Sequence, residues 1–319
     1  MVDLMGKKYY FFALSALIII AGIVAYIVNG GMVLDIQFQG GTILEIQMKD
    51  GNFDPRKAED IVKNTVGKIA TAQKSETYDS SGKNPKVYLL TINIANKQGS
   101  LTGDEQTKLV EALRKEFDIP ADAQMNVNNV APFIGTELLS KGLQGVFWAS
   151  VLIILYMWWR FQVMSGLSAG VTAILALLHD ALIMLSIYAI FRVPVNDAFI
   201  AAVLTVIGYS MNDTIIIYDR IRENSNLLKK TPIAELVNRS IIQTLSRSIN
   251  TVVTVEICMI TVYAFAAYYN ITSIMDFTLP LIVGITSGCY SSIFIASPLW
   301  VMWKESRAKK KVASKSAKA

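Results

Sequence analysis

Two cysteines in 319 residues, Cys258 and Cys289, and a single histidine, His179, remove several classes of chemistry at once. Both thiols lie in apolar stretches, so no disulfide framework is available and cysteine usage says little about redox compartment. A lone histidine makes no metal-ligand cluster, and neither a phosphate-cradling glycine loop nor a serine or cysteine beside a base occurs. The chain is therefore expected to be no enzyme and to carry no metal or cofactor. Charge is modest: 30 basic against 25 acidic residues, net +5. The basic residues flank apolar runs and fill the tail from Arg307 to Ala319 without an aromatic-basic module. Their expected partner is an anionic lipid surface, not nucleic acid.

What the chain has in quantity is apolar length. With 53% hydrophobic residues and a mean hydropathy of +0.41, it suits a polytopic membrane protein. Tyr10 to Val28 is an apolar run preceded by Lys7 and Lys8. It exceeds the roughly 7–15 residues of a signal-peptide core and has no small-residue cleavage site, so a retained first helix is expected. Five further spans are expected at about 143–159, 163–190, 198–218, 249–268 and 277–303, the last anchored by Trp300 and Trp303. The expected division is 1–9 cytoplasmic, 10–28 first span, 29–142 extracytoplasmic, 143–303 a five-helix bundle, and 304–319 a basic cytoplasmic tail. Sixteen basic residues then lie on the side of the termini, against Arg192 alone in the two short outer loops. The positive-inside rule thus puts both termini in the cytoplasm.

Residues 29–142 read as one soluble domain. Val33 to Met48 alternates like two short strands or one bent strand, with Gly40 and Gly41 at a kink. Asp54 and Pro55 open a helix to about Lys68. A strand is expected over Ala70–Thr77, a polar turn over Asp79–Pro85, and a strongly alternating strand over Val87–Ala95. Thr102 and Glu105 stand at capping-box spacing before a helix to Phe117, and Gln124–Val130 is a last strand. The order βαββαβ predicts a ferredoxin-like domain between helices 1 and 2 of an α+β membrane protein.

The residue most in need of explanation is Asp213, within GYSMNDTIIIYDRIREN from Gly208 to Asn224. The run Ala198–Tyr218 is about 21 residues, enough to cross a ~30 Å hydrocarbon core. A carboxylate there costs roughly 3 kcal/mol on insertion scales and must face a partner or a wet cavity. Helical spacing puts Arg247, Thr251, Thr254 and Cys258 on one face of the next span, able to meet Asp213, Tyr209 and Ser210, while Glu256 points away. Such a pair could load and unload a proton or simply clamp two helices. His179 and Asp180 form either a packing pair or a proton relay. Asn212 is expected to bond between helices, and Asn196 and Asp197 to cap one.

GYSMNDTIIIYDRIREN resembles the signature of the SecF family, related to resistance-nodulation-division transporters. LLHDA at Leu177–Ala181, LSRSINTVVT at Leu245–Thr254, FQGGT at Phe38–Thr42 and VAPFIGTEL at Val130–Leu138 agree, in order and over nearly the whole chain. The resemblance implies a membrane subunit that pairs with SecD beside the SecYEG channel and uses the proton gradient, or a sodium gradient, to help pull a translocating polypeptide outward. Asp213 and Arg247 match the family's functional aspartate and arginine; Glu256 stands outside the expected pattern. The rival expectations are a small-molecule exporter of the wider superfamily and a structural subunit with no ion coupling.

Overall fold

Alternating apolar residues between the first two spans fold into a four-stranded antiparallel sheet. The computed structural model describes residues 3–77, 87–95, 100–120, 123–130, 132–161, 166–269 and 271–316. The strands are β1 (Gly41–Met48), β2 (Ala70–Thr77), β3 (Val87–Ala95) and β4 (Met125–Val130), in the spatial order β2-β3-β1-β4. Leu44 and Ile46 of β1 and Leu90, Ile92 and Ile94 of β3 point to one face. They are covered by α3 (Pro55–Val66), through Ala58 and Val62, and by α4 (Gly103–Phe117), through Leu109 and Leu113. Each such fully buried aliphatic side chain contributes about 1.5–3 kcal/mol.

The local signals act as the sequence anticipates. Asp54 accepts from the Arg56 amide at 3.0 Å, and Thr102 and Glu105 form a reciprocal capping box. Gly67, at φ +66°, ends α3 just before the expected Lys68. The turn expected over Asp79–Pro85 lies outside the described residues, as do the last three residues of the basic tail.

Val33–Met48 is neither two strands nor one bent strand. Ile36–Gln39 forms a helical turn, α2, and β1 begins only at Gly41. Two glycines make the change of direction, Gly40 at φ +75° and Gly41 at φ +143°. A Cβ on Gly41 would stand 2.1 Å from the Ile94 carbonyl oxygen, so the close approach of β1 to β3 requires glycine.

Among the described residues, six helical segments are long and apolar enough to cross a membrane. They are α1 (Lys8–Val28), α5 (Pro132–Arg160), α6 (Gly166–Phe191), α7 (Asp197–Leu227), α8 (Ile233–Tyr268), and a last one made of α9 (Thr272–Ser291), a π-helical turn at Ser292–Ala296 and α10 (Ser297–Ser316). α7 and α8 run well past the expected ends of their spans, because hydropathy marks the bilayer and not the helix. The excess lengths pack together at the end away from the sheet. Asn224 donates to Ser240 and Gln243, both at 2.8 Å, and Arg160 and Arg222 both hold Asp219, at 2.9 and 2.8 Å. Asn238 accepts from the Leu4 and Met5 amides, which pins the start of the chain to α8.

At the opposite end the sheet domain is tied to the bundle by backbone. Leu34 bridges Val195; the Val195 amide donates to Val33 and the Asp35 amide to Val195, both at 2.9 Å. Burial pushes the Asp35 carboxyl above its ordinary 3.8, an effect offset in part by the Ile36 amide and reinforced by the Asp197 charge. A raised carboxyl pKa favours the neutral form in the docked state. Docking should therefore strengthen as pH falls through the raised value towards 3.8, and Asp35→Asn should remove that dependence. Site-specific cross-linking across the Leu34–Val195 bridge as a function of pH checks this. Gly41→Ala should destabilise the sheet locally by about 2 kcal/mol or more through strain and overlap, seen as faster amide exchange in β1 and β3 of the full chain.

Candidate functional site: two aspartates inside the bundle

Asp180 on α6 is 1% exposed, and both its oxygens are met. Ser287 of α9 and the His179 Nδ1 approach Oδ1 at 2.7 and 3.1 Å; Ser210 of α7 and Ser291 of α9 donate to Oδ2 at 2.8 and 2.9 Å. Assigning the His179 proton to Nδ1 makes all four groups donors and leaves Nε2 facing Ser15 of α1 at 2.7 Å and Tyr290 at 3.2 Å. Three helices, α6, α7 and α9, thus converge on one carboxylate, and α1 reaches it through His179. The approach is possible because α9 carries small residues at the contact: a Cβ on Gly288 would lie 2.9 Å from that of Ser210. Below this cluster, Ser292 in the π-helical turn meets the Thr214 hydroxyl at 2.9 Å, and Thr172 meets Tyr218 at 2.8 Å. Such widened turns recur at functional sites.

Asp213 on α7 is only half satisfied. It is 7% exposed; Ser248 of α8 donates to Oδ1, while Oδ2 is buried and has no partner among the described residues. Arg247 is exposed and makes no ion pair with Asp213, although it lies within Coulombic reach. The expected face of α8 is therefore corrected by one residue. Ser248 and Val252 are the buried positions toward α7, and Val252 packs in the cluster that holds Tyr209. Thr251 and Thr254 are exposed and turn their hydroxyls back to α8 carbonyls, Thr251 to Arg247 at 2.8 Å and Thr254 to Thr251 at 2.9 Å. Cys258 is exposed with them.

The remaining candidates separate. Ser210, expected to face α8, points instead into the Asp180 cluster. Tyr209 is half-buried, and its hydroxyl is buried without a partner among the described residues. Asn212 is exposed on a groove of about 370 Å³ shared with Leu152, Tyr156 and Met211, and so faces α5 and not α8. Asn196 caps α7 by accepting from the Phe199 amide at 3.0 Å, and also donates to Asp276 at 2.9 Å. Glu256 does not point away from the bundle: Thr286 of α9 donates to it at 2.9 Å.

Sequence reasoning missed Ser248 and the serine shell of Asp180. A signal for the shell existed. Gly284, Ser287, Gly288, Ser291 and Ser292 recur at spacings of three, one, three and one, a small and polar stripe along one face of α9.

The chain is similar to known proteins along most of its length. The family described as protein export membrane protein SecD/SecF, C-terminal, matches residues 109–306. The protein translocase subunit SecF of Alicyclobacillus acidocaldarius is 36% identical over 311 residues, covering 97% of this chain and 94% of its own. The protein translocase subunit SecDF of Bacillus subtilis is 34% identical over 312 residues, covering 97% of this chain but 39% of its own. A crystal structure of SecDF from Thermus thermophilus, a translocon-associated membrane protein, superposes with a TM-score of 0.72 at 30% identity, over 95% of this chain and 39% of that one. The chain thus spans about two fifths of the SecDF chains it matches.

Replacing Asp180 by Leu strips the acceptor from His179, Ser210, Ser287 and Ser291 together. Unfolding of the detergent-solubilised chain should show a loss of about 3 kcal/mol or more, since each buried donor left unpaired costs about 1–3 kcal/mol.

Proposed function

The chain belongs to the SecF family of protein export membrane proteins, and from that premise we propose that it is the ion-coupled partner of SecD, working beside SecYEG to draw exported polypeptides outward. The observation that carries this reading is the free Oδ2 of Asp213. A carboxylate held by a single hydroxyl in the middle of a spanning helix, with no partner for its second oxygen among the described residues, is costly unless it takes up a proton, a cation or water. Both oxygens of Asp180, by contrast, have partners.

The coupling ion is the proton, with sodium the alternative. One charge crossing ~100 mV is worth about 2.3 kcal/mol, which biases a two-state equilibrium roughly fifty-fold. Protonation of Asp213 weakens its hold on Ser248 and its attraction to Arg247. α7 and α8 then shift relative to each other, and the motion reaches the sheet domain through the Leu34–Val195 bridge. A simple clamp gains no support, because Asp213 and Arg247 form no ion pair. The sheet domain takes the ferredoxin-like arrangement, a reading supported by the order β2-β3-β1-β4 with α3 and α4 on one face. The basic residues at the far end favour cytoplasmic termini and an extracytoplasmic 29–142.

Pairing with SecD is supported by what α8 leaves uncovered. Arg247, Asn250, Thr251, Thr254 and Cys258 form an exposed polar stripe within a spanning helix, a surface unsuited to lipid. Relatives named SecDF carry the matched region within one chain about two and a half times as long.

Asp213→Asn should abolish export that depends on the ion gradient while the SecD complex still assembles. Export driven by an imposed gradient into membrane vesicles, with co-purification as the control, decides it: export at the unaltered rate in that variant rejects ion coupling at this site.

A further inference from the structure

Three spans run out of apolar residues together at the end of the bundle away from the sheet domain. α5 closes on Trp158, Trp159 and Arg160, α6 opens at Gly166, and α10 turns from Trp303 to Lys304 and Glu305. A Cβ on Gly166 would stand 2.6 Å from the Trp158 carbonyl oxygen, so the end of α5 lies directly against the start of α6. Beside that contact is a groove of about 270 Å³, walled by Trp158 of α5, Leu167 and Val171 of α6, and Trp303 and Arg307 of α10. The same Trp303 and Arg307 border a second groove of about 450 Å³, which runs along the α10 face bearing Leu299, Met302 and Lys310.

The walls are apolar and the charge at their shared edge is positive. Indole rings at the end of an apolar span sit at headgroup depth, and a basic side chain just beyond them reaches the phosphates. Arg307 is exposed, holds its guanidinium 5.6 Å from the centre of the Trp303 ring, and pairs with no carboxylate among the described residues. Glu305, the nearest acid in sequence, lies on a different face of α10 and borders neither groove. Lys310 follows Arg307 by three residues on the groove face.

We propose that this pair of grooves is a site for one anionic diacyl phospholipid, with its phosphate on Arg307, Lys310 beside it, and an acyl chain along each groove. Charge complementarity at Arg307 selects the phosphate, and the apolar walls have use only for acyl chains, which a free anion lacks. A lipid seated there ties the ends of α5, α6 and α10 together. The site is independent of ion coupling at Asp213. It also differs from the general attraction of a basic tail for an anionic surface, in which every lysine counts alike. Lys309 carries the same charge two residues from Arg307 but borders neither groove.

The test uses the full chain purified with its SecD partner in detergent and titrated with phosphatidylglycerol or phosphatidylcholine, with bound lipid counted by native mass spectrometry. Phosphatidylglycerol should bind one per chain at concentrations where phosphatidylcholine does not. Arg307→Gln should weaken that binding about tenfold or more, as loss of a hydrogen bond to a charged group implies, while Lys309→Gln should leave it near the unaltered value. Both side chains are exposed, so co-elution with the partner should be unchanged in both variants. Brominated phosphatidylglycerol should quench tryptophan emission, and Trp303→Phe should lose more of that quenching than Trp148→Phe, ten residues before Trp158 on α5. Equal losses in Arg307→Gln and Lys309→Gln reduce the site to a diffuse basic surface and overturn it. Competition by inorganic phosphate at the same concentration as the lipid, or equal binding of the two lipids, overturns it as well. Failure to bind either lipid, as when another protein helix fills the grooves, does the same.

Discussion

A carboxylate removed from water must be met by hydrogen-bond donors, by a positive charge or by a proton, and the two central aspartates of this bundle meet that demand unequally. Asp180 receives hydroxyls from α7 and α9 and an imidazole from its own helix, so its carboxyl is a fixed part of the packing. Asp213 receives one hydroxyl, and its other oxygen has no partner among the described residues. Ser210 connects them: three residues from Asp213 on α7, it spends its hydroxyl on Asp180. The saturated site gives α6, α7 and α9 a common reference, against which the unsaturated one is free to change state.

The small residues of α9 make that reference possible. Glycine at 288 and serines at 287, 291 and 292 bring the α9 backbone close to α6 and α7, and the π-helical turn presents Ser292 to Thr214. α8 is held differently. Its extension beyond the bilayer is fixed through Asn224, Ser240 and Asn238, whereas at mid-bilayer its described polar bond to α7 is the one between Ser248 and Asp213. The helix is firmly seated at one end and lightly held at the level of Asp213.

How much of this could be read beforehand depends on whether the controlling interaction is local. The capping box at Thr102, the Asp54 cap and the strand alternation of Leu90, Ile92 and Ile94 are set by neighbours in sequence and are legible there. The helical turn at Ile36–Gln39 is not, because its geometry answers to Val195, far along the chain. The spans are legible from apolar length, but the full extents of α7 and α8 are not, since polar helix outside a bilayer has no hydropathy signal. Within the site, Asp213 is legible as a costly group in an apolar run. Its partner is not: helical spacing gives the faces of α8, and only packing decides whether the face bearing Arg247 or the one bearing Ser248 turns inward.

α8 spans 36 residues, about 54 Å at 1.5 Å per residue, and Ser248 falls near its midpoint. A rod held fast at one end and lightly at its middle is a cantilever: a small displacement at Ser248 is magnified towards the opposite end. In the proposed coupling, a change of charge at Asp213 is thereby read as a larger movement at the end of α8 beside the sheet domain, with no need for that end to sense the ion itself.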